Sequence, residues 1–241
     1  MSRHSDVRDF PNPYPDYDGS ALLGDDDSGL SQRWDENIRK CLAKLLPKFE
    51  HGFQHDVDFS DHSVYTGTSG IAILFDKLSA VGIASSAADY SSRALQLVRK
   101  SVGHVKRDYS FMLGAAGPLA LGAVLYHKQG MSKESQQCVS QLHQLAPDVI
   151  SSNRVPDEIL YDRSGFLYAL LYVRQHLGDS SVDSGTVTKV SEAIIESGRR
   201  YSASIRCQSP LMFQWYHEHY LGAAHGLAGI FFLLLRVRDN I

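Results

Sequence analysis

The sequence predicts an all-α fold, an incomplete α/α toroid of about four helix hairpins in two layers, and three observations carry that prediction. A G-x-x-G step, or a near version of it, occurs four times: GTSGIAILF from Gly67, GAAGPLALGAVL from Gly114, DRSGFLYALL from Asp162 and GLAGIFFLLL from Gly226. Each step runs straight into an apolar stretch. The second glycines, Gly70, Gly117, Gly165 and Gly229, recur at roughly fifty to sixty residues, the period of an array of supersecondary units.

Taken in chain order, the elements are these. RDFPNPYPDYDG, Arg8 to Gly19, holds three prolines and three aromatics in twelve residues, so it reads as an extended arm in which no continuous helix can form. GDDDSGL, Gly24 to Leu30, follows as an acidic loop, and residues 1–30 are set apart from a helical domain over 31–241. The first amphipathic helix carries Ile38, Cys41, Leu42, Leu45 and Phe49 on one face. HGFQHDVDFSDHS, His51 to Ser63, reads as a solvated polar loop and not a metal site, its histidines and aspartates being irregularly spaced. Further amphipathic helices are marked by Leu95, Val98 and Val102, by Val139, Leu142 and Leu145, and by Val187, Val190 and Ile194. Each precedes an almost wholly apolar helix. A helix that is apolar all round must be buried on every side, so the apolar helices form the inner layer and the amphipathic ones the outer. Small residues let the inner N-termini crowd at one rim, and glycine supplies backbone freedom for the loop-to-helix turn. A linear solenoid is the alternative arrangement. An open arc also leaves the helix from Ile230 to Val237 with an apolar flank.

The 241 residues are 43% hydrophobic and 21% charged, which suffices for a large core. A formal net charge of −3 with scattered basic residues gives no footprint for nucleic acid. Cys41, Cys138 and Cys207 are odd in number and far apart, as free thiols in a reducing compartment are. The polar start MSRHSDVRDF lacks a signal-peptide core, and no apolar run reaches membrane-spanning length. The expectation is a cytoplasmic protein with no transmembrane segment, peripheral attachment at the plasma membrane remaining open.

The rim supplies the candidate site. Just before the four steps stand Thr66, Leu113, Tyr161 and His225, and only one is an imidazole. Four positions upstream of the first glycine, or of Asp162 in its place, stand Ser63, Ser110, Glu158 and Gly222, and only one is a carboxylate. His225 and Glu158 could therefore face one mouth as an acid-base pair. The bland alternatives are a satisfied packing histidine and a first-turn carboxylate favoured by the helix dipole. Asp162, standing where the other repeats have glycine, marks the third turn as locally different.

Five stretches resemble the eukaryotic lanthionine synthetase C-like (LanC-like) proteins. They are FPNPYPDYD from Phe10, YTGTSGIAILF from Tyr65, GAAGPLALGAVLYHK from Gly114, SPLMFQWY from Ser209 and WYHEHYLGAAHGLAGI from Trp215, in order and at spacings that cover essentially the whole chain. The resemblance implies a toroid of seven helix pairs, four of them present here. It also implies a chemistry: a cysteine or glutathione thiol adds to a dehydroamino acid in a peptide and forms a thioether. His225 matches the family's catalytic histidine in G-A-A-H-G, Glu158 matches an assisting acidic position, and Arg8, just ahead of FPNPY, matches an arginine suited to a glutathione carboxylate. The implied partners are glutathione and dehydroamino-acid peptides.

The family's zinc ligands, a Cys and then a Cys-His pair in C-H-G, belong to later repeats, and the sequence reaches LLLRVRDNI before any of them. None of the three cysteines is followed by His. The expectation is no metal ligands and no cofactor in this chain, zinc being that of the full-length family, and no self-sufficient catalysis. A non-catalytic glutathione-binding or scaffold protein of the same fold is the alternative. An α/α-barrel glycosidase is weaker, because Glu158 and Asp162 lie too close on one turn to flank a sugar.

Overall fold

The computed structural model describes residues 13–16, 29, 31–82, 87–104 and 108–237. Arg8 and most of the arm and acidic loop lie outside the described residues. The chain divides into two compact units, Met1–Asp56 and Val57–Ile241.

The first unit contains α1, Gln32–His55, which has no buried residue. The helix takes in His51 and His55, so the loop expected from His51 begins only at Asp56, whose N–H bonds back to the Gly52 carbonyl at 2.8 Å. The amphipathic period runs on through Phe49 and Phe53 on one side of the helix, whose rings lie 6.4 Å apart. That continuation, and not the polarity of HGFQH, decides where the helix stops.

The second unit is a double layer. The inner helices are α2 (Thr68–Val81), α4 (Ala116–Lys128), α6 (Arg163–Leu177) and α8 (Leu227–Arg236), and the outer ones α3 (Ala87–Val102), α5 (Ser132–Ser151) and α7 (Ser184–Ser204). No strand occurs among the described residues, whose only bridge joins Trp215 and Glu218. In the inner layer α2 touches α4, α4 touches α6 and α6 touches α8, while the outer helices lie against them. The pairing differs from the expected one. Inner α2 and α4 pack most extensively against the outer helix that follows, α3 and α5, because the connections after inner helices are short and force antiparallel neighbours. The long connections, ahead of α4, α6 and α8, gather at the opposite end and carry the candidate site.

Phe75, Leu121, Leu142, Phe166, Leu170, Ile194, Ile230 and Leu233 are fully buried, each worth about 1.5–3 kcal/mol over an exposed position. Helix α4 meets the expectation of burial on all sides, from Ala116 to Tyr126 without a break. Helices α2 and α8, each with one inner neighbour, do not: Val81 is 60%, Phe232 56% and Leu235 65% exposed. No helix among the described residues is long and apolar enough to cross a membrane.

One backbone plan serves all four rim corners. The first N–H past the first glycine position donates to a carbonyl seven residues earlier: Thr68 to Asp61 at 2.9 Å, Ala115 to Asp108 at 2.9 Å, Arg163 to Pro156 at 3.0 Å, Leu227 to Tyr220 at 3.0 Å. Each loop thus folds back over the helix it introduces and satisfies an otherwise orphan helical donor. Asp162 keeps this bond, though its ψ of −107° departs from −167° at Gly67 and −173° at Gly226, the local difference the substitution predicts. The glycines serve close approach and not backbone freedom: Gly67 and Gly226 have φ of −110° and −122°, open to any residue.

Candidate functional site

The position four residues ahead of each first glycine has a structural task that the sequence reading did not foresee. Ser63 Oγ accepts the Thr66 N–H at 3.3 Å, Ser110 Oγ accepts the Leu113 N–H at 3.1 Å, and Glu158 Oε1 accepts the Tyr161 N–H. The side chain caps the corner in each case, and Gly222 leaves the fourth corner without that cap. Glu158 therefore sits in the loop ahead of α6 and is not the first-turn carboxylate of the bland reading. A glutamate in a serine's place has an oxygen to spare. Its Oε2 accepts the Leu160 N–H at 3.0 Å and meets His225 Nδ1 at 2.7 Å.

Two expected residues, 67 positions apart in sequence, are thus one hydrogen-bonded pair. Two backbone N–H groups converge on Glu158, which suits a carboxylate, so Nδ1 of His225 is the donor and Nε2 is left as the acceptor. The glutamate side chain is 2% exposed and that of His225 30%. Burial pushes the Glu158 carboxyl above its ordinary range, and the Tyr161 N–H, His225 and the Leu160 N–H pull against it. No hydrogen bond to Nε2 occurs among the described residues. The imidazole is the accessible member of the pair.

Aromatic rings fix the imidazole plane, and these the sequence reading did not single out as site residues. Trp215 stacks on His225 at 14° with centroids 6.2 Å apart, Tyr161 at 22° and 6.2 Å, and Tyr220 lies 5.7 Å away. Trp215 also meets Tyr161 at 5.1 Å. Its placement comes from a tight turn in which Trp215 and Glu218 exchange N–H···O bonds of 3.1 and 2.9 Å. The two central residues, Tyr216 and His217, have φ of 45° and 64°. Such left-handed backbone at non-glycine residues costs on the order of 1–3 kcal/mol each and persists where the surroundings enforce it. Trp215 also lines a cavity of roughly 310 Å³ with Arg154, Asp157, Ser197 and Tyr201. An apolar cavity of roughly 520 Å³ lies beneath the neighbouring corners, between Phe111, Ile159, Ala223 and Phe232. Neither is lined by His225 or Glu158, so the pair stands on the rim between them.

Further carboxylates lie under the Glu158 corner. Asp157 pairs with Arg163, whose guanidinium also donates to the Val149 carbonyl at 2.9 Å and the Ser152 carbonyl at 2.7 Å. Asp162 accepts the Tyr109 N–H at 2.9 Å, tying the third corner to the second. Burial raises the Asp162 carboxyl to about 7, the Tyr109 N–H opposing and Asp108 and Glu158 adding to the rise. The unfolded chain releases this proton near pH 4 and the folded chain only near 7. Between those values the folded state binds more protons, so stability falls as pH rises and the penalty is complete above 7. Asp162→Asn keeps the acceptor for Tyr109 and removes the charge. Denaturant unfolding should show it more stable than the parent at pH 8, by on the order of 2–4 kcal/mol, and equal to it near pH 4.

The described residues do not fit the zinc that the resemblance implies. No three His, Cys, Asp or Glu side chains among them converge as metal ligands. Cys138 is buried among apolar groups, which pushes its thiol up to about 12, the reverse of what a thiolate ligand needs. Cys41 is exposed on α1 and Cys207 is partly buried after α7.

The lanthionine synthetase C-like protein family profile matches residues 58–241. A Danio rerio protein named Glutathione S-transferase LANCL1 is 38% identical to the chain over 239 residues, which is 96% of this chain and 58% of the relative. The chain thus spans a little over half of that relative's length. The profile runs from just ahead of the first glycine corner through the last, and with most of the chain inside it the protein belongs to the lanthionine synthetase C-like family.

Proposed function

We propose that the rim pair is an acid-base centre for adding a thiol, that of glutathione or of a peptide cysteine, to a dehydroamino acid in a peptide. The observation that carries the reading is the 2.7 Å contact between His225 Nδ1 and the buried Glu158 carboxylate, which leaves Nε2 without a hydrogen-bond partner among the described residues. The name of the Danio rerio relative supports glutathione as the thiol. Nε2 takes the thiol proton while sulfur bonds to the β-carbon of the dehydroalanine. The π electrons of the double bond pass through the α-carbon to the adjoining carbonyl as an enolate. The imidazolium, held by Glu158, then returns the proton to the α-carbon and the thioether is complete. Trp215, Tyr161 and Tyr220 hold the ring plane and shield one side from water. Arg8 is the group we assign to a glutathione carboxylate, on the strength of the family resemblance alone. Three unpaired cysteines suit a reducing setting, the cytoplasm, where glutathione is a free thiol.

The test is to incubate the chain with glutathione and a dehydroalanine peptide and to follow the adduct by mass. Formation faster than in the protein-free mixture is expected, because Nε2 can take the thiol proton without a metal; no acceleration would instead meet the expectation of no self-sufficient catalysis drawn from the zinc-ligand motifs. Glu158→Gln, which keeps an acceptor at the corner but no charge for the imidazolium, should slow it by roughly tenfold or more. Saturable glutathione binding with no acceleration would replace this reading with a binding module of the same fold.

A further inference from the structure

We propose that the last turn of α1 is a surface site for a first-row divalent transition metal, with His51 and His55 as its two protein ligands. The two residues stand four apart on the helix, so their side chains project from one face, one turn above the other. Their ring centroids lie 4.6 Å apart with 47° between the planes. Rings so placed bring their nitrogens to the separation of about 3 Å that cis ligands at ordinary metal–nitrogen distances require, with only side-chain rotation. Both histidines are exposed, and neither is hydrogen-bonded to another group among the described residues. Binding therefore displaces only water.

The surroundings favour a cation. The pair occupies the C-terminal turn, where the helix carries its partial negative charge and its unsatisfied carbonyls. Asp56 follows at the C-cap, and its Oδ2 lies 3.6 Å from where a Cβ on Gly52 would stand, so the carboxylate folds back beside the turn. Two protein ligands are fewer than the three or four of catalytic and structural zinc sites, and the remaining positions go to water or to an exchangeable ligand. Imidazole donors suit Cu²⁺, Ni²⁺ and Zn²⁺, and Cu²⁺ binds tightest in that series. The chelate exists only while residues 51–55 are helical, so the ion also holds the end of α1 in place.

The probe is Cu²⁺ alone, titrated calorimetrically into the full chain, with electron paramagnetic resonance to count nitrogen ligands. One two-nitrogen site is expected. Either His51→Gln or His55→Gln should weaken it by roughly a hundredfold, the advantage of two linked donors over one. In the His55→Gln background, Gln54→His places the second imidazole three residues from His51 and should restore the site. Phe53→His, two residues away on another face, should not. Circular dichroism checks that the exposed helix persists in each variant. Undiminished Cu²⁺ binding in both single variants, or equal rescue from positions 53 and 54, would overturn the proposal.

Discussion

His225→Asn is expected to slow glutathione addition to a dehydroalanine peptide by roughly a hundredfold or more, while the folded protein stays nearly as stable as the parent. The two halves of that expectation have separate causes. Loss of the ring removes the one imidazole among the aligned corner positions Thr66, Leu113, Tyr161 and His225, and with it the group assigned to accept the thiol proton and return it to the α-carbon. Asparagine has no such capacity. The small cost in stability follows from Glu158, which keeps the Leu160 and Tyr161 N–H donors when the imidazole leaves. Its desolvation is then still partly offset, and the side-chain amide of asparagine can donate in place of Nδ1. A loss below about 1.5 kcal/mol is expected, within the range of one net hydrogen bond. Initial rates of adduct formation and thermal unfolding on the same preparations make the check. Undiminished rates would make the histidine architecture. A melting loss as large as a core truncation would instead assign it to packing.

The parts of the structure that repeat were legible because each repeat constrains the others. Four glycine steps ahead of apolar runs place four inner helices, and aligning the corners singles out one imidazole and one carboxylate on the same rim. Their hydrogen bond joins loops 67 positions apart, and the alignment needs no long-range information to suggest it. What does not repeat was not legible. The turn that sets Trp215 over His225 uses Tyr216 and His217 at positive φ, where glycine or asparagine is the ordinary signal. Neither Tyr216 nor His217 carries that signal. The raised carboxyl of Asp162 depends on burial beneath loops distant in sequence. The end of α1 was misplaced for the opposite reason, because a run of polar residues on the exposed side of a helix looks like a loop when the apolar side is not followed through it. Arg8 rests on resemblance alone, since it lies outside the described residues.

Gly117→Ala should destabilise the second unit by about 3 kcal/mol or more, enough to abolish a single cooperative melt. At every corner the second glycine sits against a carbonyl six residues earlier. A Cβ on Gly70, Gly117, Gly165 or Gly229 would lie 2.3, 1.9, 2.1 and 2.0 Å from the carbonyl oxygens of Val64, Phe111, Ile159 and Ala223. No side-chain rotation relieves a clash between two backbones, so the whole fold-back loop must lift. Lifting one corner also disturbs the previous one. The Cβ on Gly117 would meet Val64 at 2.8 Å, that on Gly165 would meet Ser110 at 2.5 Å and that on Gly229 would meet Ile159 at 2.6 Å. Val64 and Ile159 are tied to the next corner through their N–H groups, at 3.0 Å to Met112 and 3.2 Å to Ala224. Each second glycine after the first is thus the point where a loop, its helix and the preceding corner meet without room for a methyl group. Gly222→Ala is the matched control, because a Cβ there meets nothing within 4 Å. It should change stability by less than about 0.5 kcal/mol. Equal melting of the two alanine variants would mean that the corners yield, and that the recurring glycines answer to something other than close approach.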